Sequence, residues 1–337
     1  MTFIELGELC DKGTSNLAQK DLLIDSGRYP VYGAAGEITK VDFYQQSKPY
    51  LGIVKDGAGV GRVMRLPSNS SVIGTLQYIF PKENVDIKYL YYLIKYLDLG
   101  KSNTGATIPH IYFKDYKKRK VRAKSYNEQK YIGKIFKLIE GNLITYNRIL
   151  ECYDLLIKSR FVEMFGDIKE RGRFKVKKWK DVLDIFNGKD YKIVQVDKGG
   201  YPVYGSGGII ARANDYICPA GTIIIGRKGS INNPILVNEK FWNVDTAFGI
   251  VPKEIINNSY LYYFCKQYNF NHLNKATTLP SLTKRDLLEI EINIPALEEQ
   301  VKFSEFVNQI NKLKSDVQKS IDETQLLMDS LMQEYFG

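Results

Sequence analysis

Ile79 to Leu93 reads IFPKENVDIKYLYYL, and Ile250 to Phe264 reads IVPKEIINNSYLYYF. The two stretches agree at 8 of 15 positions at an offset of 171, where chance gives about one. At the same offset Thr107-Ile108-Pro109-His110-Ile111 faces Thr278-Leu279-Pro280-Ser281-Leu282, Glu128-Gln129 faces Glu299-Gln300, and Phe165-Gly166 faces Phe336-Gly337. Upstream, Tyr29-Pro30-Val31-Tyr32-Gly33 matches Tyr201-Pro202-Val203-Tyr204-Gly205 at an offset of 172. One residue of drift therefore accumulates where the copies diverge. The chain is a tandem duplication, a shared frame carrying two different loop sets.

Each copy changes period part-way along. Its first part has short apolar runs, such as Tyr50 to Val54 and Gly221 to Ile225, punctuated by Gly, Asn and Pro turns, which predicts strands. Tyr89 to Leu97 and Tyr260 to Tyr268 read as short helices within it, so the fold class is α+β. The second part, Asn127 to Phe165 and Glu298 to Phe336, lacks proline and repeats apolar residues every three or four positions. Each predicts a helix of about 38 residues, roughly 57 Å long.

Such a helix needs a partner. Burying the stripe of the second on the first makes an antiparallel two-helix coiled coil with internal pseudo-twofold symmetry. The expected order is a recognition globule at 1–125, a spacer helix at 126–166, a linker at 167–172, a second globule at 173–296 and a second spacer helix at 297–337. A spacer of that length corresponds to roughly 17 base pairs of duplex.

Composition sets the partner class. Lys and Arg number 48 against 38 acidic residues, a net charge of +10, which favours a polyanion through counterion release. Among 24 Tyr and 16 Phe most are expected in cores, with some beside cations able to stack on bases. The four cysteines, Cys10, Cys152, Cys218 and Cys265, form no CxxC pair, and His110 and His272 are the only histidines. No metal site, disulfide framework or bound cofactor is expected, and a reducing cytoplasm fits. No basic start with an apolar stretch opens the chain and nowhere do 18 apolar residues run together, so neither secretion nor membrane insertion is expected.

Two glycine loops carry charge: Lys55-Asp56-Gly57-Ala58-Gly59 and Gly226-Arg227-Lys228-Gly229-Ser230. Neither has the spacing or the strand-to-helix context of a nucleotide loop, so each reads as a hairpin turn that lets backbone approach phosphate. A plain solvated turn is the competing reading. The expected DNA contacts are Lys55, Gly57 and Arg62 in the first copy and Arg227, Lys228, Gly229 and Ser230 in the second. Thr107 and Thr278 are placed beside them, with a Pro turn kept for packing as the equal alternative, and His110, matched by Ser281, is expected to act in one copy only. Tyr32 and Tyr204 are candidate base-contacting aromatics, although core packing competes. The basic run from Lys114 to Lys124 has no equal in the second copy, where Glu289 and Glu291 stand for Lys118 and Lys120.

The order of Tyr-Pro-Val-Tyr-Gly turn, basic glycine loop, Thr-x-Pro segment and Glu-Gln helix start, occurring twice, resembles the specificity subunits of type I restriction-modification systems. The resemblance covers nearly the whole chain. Relative to that family the chain reads as short, with no helical extension expected before the first globule. The resemblance implies a non-catalytic subunit in which each globule reads one half of a bipartite, asymmetric DNA target. The helices set the gap and dock two DNA adenine methyltransferase subunits, with restriction-translocase subunits as further partners. S-adenosylmethionine, ATP and Mg are then expected in the partners only. Two other readings stand beside it: an adaptor bridging protein partners, and a self-sufficient DNA-modifying enzyme. Against the latter, no Asn/Asp-Pro-Pro-aromatic segment of an amino-methyltransferase is present.

Overall fold

In a computed structural model describing residues 2–22, 27–102, 108–168, 170, 172–276 and 278–337, the two proline-free stretches are single helices of 40 residues, Tyr126–Phe165 and Leu297–Phe336. The chain folds as two units, Met1–Asn147 with Lys319–Gly337, and Arg148–Gln318. Each unit thus takes one half of each long helix. Among the described residues no helix is long and apolar enough to cross a membrane.

The first unit contains β1 (Phe3–Glu5), β2 (Cys10–Thr14), β3 (Tyr29–Gly33), β4 (Gly36–Val41), β5 (Tyr50–Val54), β6 (Val63–Leu66), β7 (Ser71–Val72), β8 (Leu76–Pro81), helix α1 (Ile87–Leu97) and β9 (Lys120–Arg122). They form sheets of order β2-β8-β5-β6, β4-β3-β7 and β1-β9. All five residues of β5 are buried, as an unbroken apolar run between turn signals requires. Pro30, which has no N–H to give, lies before the point where β7 joins β3 at Val31.

The second unit repeats the plan. Its elements are β10 (Lys175–Lys178), β11 (Leu183–Asn187), β12 (Gln195–Val196), β13 (Tyr201–Gly205), β14 (Gly208–Ala213), β15 (Thr222–Gly226), β16 (Ile235–Val237), β17 (Trp242–Asn243), β18 (Ala247–Pro252), helix α2 (Asn258–Gln267) and β19 (Glu291–Ile294). Sheets β11-β18-β15-β16, β14-β13-β17 and β10-β19 match those of the first unit, with β12 added beside β14. Even the bulge is shared, at Val31/Tyr32 and at Val203/Tyr204. The drift between copies can now be placed. Gly52 pairs with Met64, whereas its equivalent Ile224 pairs with Ile235, so the second copy is one residue shorter inside the glycine hairpin itself.

Each long helix ends in the core of a unit built around the other copy's short helix. Phe165, closing the first long helix, packs in the second unit on Tyr260 of α2 at 4.8 Å and on Phe303 at 5.5 Å. Phe336, closing the second, packs in the first unit on Tyr89 of α1 at 5.5 Å and on Phe136 at 5.6 Å. Within the first unit Met328, Met332 and Phe336 share a core with Ile132, Phe136 and Ile139. Within the second, Ile157 and Phe161 share one with Phe303, Val307 and Ile310, and Lys314 bonds Asp154 at 2.6 Å. In both units one helix half runs opposite to the other.

The Glu-Gln starts have a packing role. Gln129, almost fully buried, accepts from the Asp86 N–H at 3.1 Å and donates to the Lys124 carbonyl at 2.9 Å. Gln300 accepts from the Asn257 N–H at 2.8 Å and donates to the Ile255 and Pro295 carbonyls at 3.2 and 2.9 Å. Asp86 and Asn257 cap α1 and α2 through their side chains. One amide in each unit therefore ties the start of a long helix to the start of a short one.

Candidate nucleic-acid interface

Leaving β5, the chain reverses through residues 55–62. Gly57 adopts φ 82° and its equivalent Gly229 φ 79°, and a Cβ there would meet nothing within 4 Å. Glycine is demanded by the left-handed backbone, not by crowding. Gly61 is demanded by both, since at φ 85° its Cβ would lie 2.2 Å from the Gly100 nitrogen.

This turn and the Thr-x-Pro segment, placed side by side from the sequence, are joined through backbone. Gly57 N–H donates to the Pro109 carbonyl at 3.0 Å and Ile111 N–H to the Lys55 carbonyl at 3.0 Å, bridging Asp56 to His110. In the second unit Gly229 N–H donates to the Pro280 carbonyl at 2.9 Å and Leu282 N–H to the Arg227 carbonyl at 2.9 Å, bridging Lys228 to Ser281. The same backbone junction is built twice.

What it carries differs. In the first unit Asp56 bonds Lys55 Nζ at 2.7 Å through Oδ2 and His110 Nδ1 through Oδ1. The His110 ring lies 4.0 Å from that of Tyr112, an exposed tyrosine over which Lys114 sits at 5.1 Å. In the second unit the junction presents Arg227, Lys228 and Ser230, all exposed. Arg227 Nη1 rests 3.5 Å from the Asp245 carbonyl and the guanidinium 5.9 Å from the Phe248 ring. One junction is close to neutral and the other is cationic.

The sequence profile of the type I restriction modification DNA specificity domain matches residues 1–151 and again 172–324. The chain belongs to that family. It carries two DNA specificity domains, one per copy, and is a recognition component, not the catalyst. It is similar to the type I restriction enzyme MjaVIII specificity subunit of Methanocaldococcus jannaschii, with 25% identity over 311 residues, 77% of this chain and 71% of that protein. Among solved structures it is similar to the type I restriction-modification system S subunit from M. genitalium, at a TM-score of 0.69 and 17% identity, covering 100% of this chain and 96% of that one. A second solved chain, described in terms of complex assembly and conformational transition of the type I R-M system, gives a TM-score of 0.61 at 13% identity, covering 99% and 96%. At these identities the solved structures establish a shared fold.

The remaining candidates of the specificity domains fall around the junction or apart from it. Arg62 is exposed and donates from Nη1 to the Ala34 carbonyl at 2.9 Å, tying the loop to the turn after β3. Thr278 is exposed, and Thr107 lies outside the described residues. Tyr32 and Tyr204 are half-buried, each accepting a backbone bond of 3.0 Å through its carbonyl, from Ile73 and Val244. Burial and then the Glu37 charge push the Tyr32 phenol up, and burial and then Glu239 push up that of Tyr204, which also stands 5.3 Å from the Phe241 ring. Both stay protonated hydroxyls. A cleft of about 1020 Å³ in the second unit, lined by residues including Asp154, Tyr263 and His272, contains none of the candidates.

Three exposed residues beside the junction were not anticipated: Tyr112, Ile108 and Leu279. Ile108 and Leu279 occupy the middle of the two Thr-x-Pro segments, so an aliphatic residue at the same loop position in both copies was the available signal. Tyr112 had none, being one of 24 tyrosines.

Proposed function

We propose that this chain is the specificity subunit of a type I restriction-modification complex, in which each globule reads one half of a bipartite, asymmetric DNA target. The observation that carries the reading is the junction of glycine loop and Thr-x-Pro segment, made by equivalent backbone hydrogen bonds in both units but presenting Asp56 and His110 in one and Lys228 and Ser281 in the other. A common scaffold with different polar surfaces suits two unlike half-sites better than a palindrome. Lys55, Arg62 and Arg227 supply cations for phosphate, the term that positions a protein on the duplex. The long helices fix the gap between the two parts.

Co-expression with a DNA adenine methyltransferase and genome-wide mapping of methylated adenines tests this. A motif of two short defined parts with a constant gap is expected, and exchange of residues 1–125 for another such domain changes one part only. A single uninterrupted motif, or both parts changing together, would refute it.

Methyltransferase docking belongs to the same proposal, with S-adenosylmethionine, ATP and Mg held by the partners in a cytoplasmic complex. Its support is a second repeat on the long helices: Leu155 is 62% exposed and Leu326, its equivalent, 71%, each followed by another exposed leucine, Leu156 and Leu327. One such pair lies in each unit, which suits two identical subunits. Replacing Leu155 and Leu156 by serine is expected to reduce co-purifying methyltransferase from two subunits per chain to one, and replacing Leu326 and Leu327 as well to remove both, without loss of thermal stability. Unchanged stoichiometry by native mass spectrometry in the fourfold variant would place docking elsewhere.

A further inference from the structure

We infer that the junction of the glycine loop with the Thr-x-Pro segment is a specificity-determining station, at which Asp56 with His110 in the first globule and Lys228 with Ser281 in the second select the base read there. The inference rests on the proposed reading and names the residues that do the selecting. Backbone at the station is held constant between copies by the two cross-segment bonds and by a third pair, Lys55 and Arg227 N–H donating to the carbonyls of Thr75 and Thr246 at 3.0 and 2.8 Å. Against that scaffold the side chains change sign. The one-residue length difference between the copies falls in the same hairpin. Constant geometry with altered chemistry is the arrangement that changes a partner's preference without moving the partner.

The chemistry separates base from backbone contact. A carboxylate repels phosphate, so Asp56 is unsuited to gripping the duplex backbone, although it sits in a loop otherwise suited to that task. Its side chain is 27% exposed and that of His110 is 23% exposed, half-open positions that close contact would cover. Each carboxylate oxygen has two lone-pair sites. With Lys55 on one and His110 on the other, each still has one to accept an exocyclic amino group, the donor of cytosine N4 or adenine N6 in the major groove. Lys228 has the opposite polarity and matches guanine O6 and N7. The first globule therefore takes an amino-bearing base at this station and the second a guanine. Tyr112, whose ring lies tilted against that of His110, is replaced by Thr283, whose hydroxyl instead accepts from the Asp286 N–H at 3.1 Å and caps the short helix Lys284–Leu288.

The test uses the full chain assembled with its methyltransferase. Asp56→Lys with His110→Ser is expected to change the methylated motif at one position of one part, leaving the other part and the gap as they were. Lys228→Asp with Ser281→His is expected to change the other part. Methylation of the parental motif by both variants, at full or uniformly reduced level, would overturn the station. Where a double variant gives no methylation, Asp56→Asn and Lys228→Met are compared with the parent on duplexes varied base by base. A change in preference of about tenfold or more at one position supports the station, and equal loss on every duplex overturns it. A parent complex that itself methylates no bipartite motif would instead remove the proposed function, a different result from unaltered variants of a bipartite parent.

Discussion

Phe336→Ala is expected to destabilise the first unit by about 3–5 kcal/mol, and Phe165→Ala the second by a similar amount. Phe336 is 7% exposed and touches rings on three sides, Tyr89 at 5.5 Å, Phe136 at 5.6 Å and Tyr96 at 5.8 Å. Phe165 is equally enclosed by Phe161, Tyr260 and Phe303. Truncation leaves a cavity lined by aromatic rings, which are too large to collapse into it. Against a typical domain stability of about 5–15 kcal/mol such a loss is severe. It is also local: hydrogen exchange should accelerate in β5 and α1 for Phe336→Ala, and in β15 and α2 for Phe165→Ala. Because the residues lie in different units with no shared partner, the two losses should add. A change below about 1 kcal/mol, or acceleration in the wrong unit, would mean that the helix ends do not close these cores. The functional consequence is that the end of the second copy's helix maintains the first copy's recognition surface.

Frame and surface differed in how far the sequence revealed them. The buried strand Tyr50–Val54 was legible as an unbroken apolar run between turn signals, and the short helix bearing Tyr89 and Tyr92 and the two long helices because each buries a face of period 3.6 and leaves that period in the chain. The antiparallel sense of the helix halves followed from chain direction and an apolar stripe needing cover. The bridge from Asp56 to His110 was not legible. It joins residues 54 apart through backbone groups, and backbone bonding imposes no side-chain pattern. For the same reason Thr107 and Thr278 could be placed beside the basic loops without revealing the backbone bonds that join the two segments. The one-residue drift was visible but not its place, since Gly61 and Arg62 bear no resemblance to Asn232 and Asn233. The exposure of Ile108 and Leu279 was not legible either, because an aliphatic residue before proline carries no mark that separates a packing contact from an open surface.

Gln300→Leu is expected to cost about 2–4 kcal/mol, and Gln129→Leu somewhat less. The order follows from burial and bonding: Gln300 is 0% exposed and holds three backbone groups, while Gln129 is 3% exposed and holds two. Leucine nearly preserves the volume, so the loss reports buried amide and carbonyl groups left without partners. Gln300→Glu separates the two functions of the amide. A carboxylate can still accept from the Asn257 N–H, but opposite the Ile255 and Pro295 carbonyls it replaces a donor with negative charge. Burial and those carbonyls raise its folded pKa above the unfolded one, so the folded state binds the extra proton more readily. Stability of this variant should therefore rise as pH falls through that folded value, when a protonated carboxyl can donate. Chemical denaturation at pH 8 and pH 5 measures it. If Gln300→Glu gained nothing relative to the parent at the lower pH, the amide's donated bonds would be ornamental and the short helix would be held by apolar packing alone. If it gains, one buried amide in each unit fixes how a recognition globule is seated on its helix.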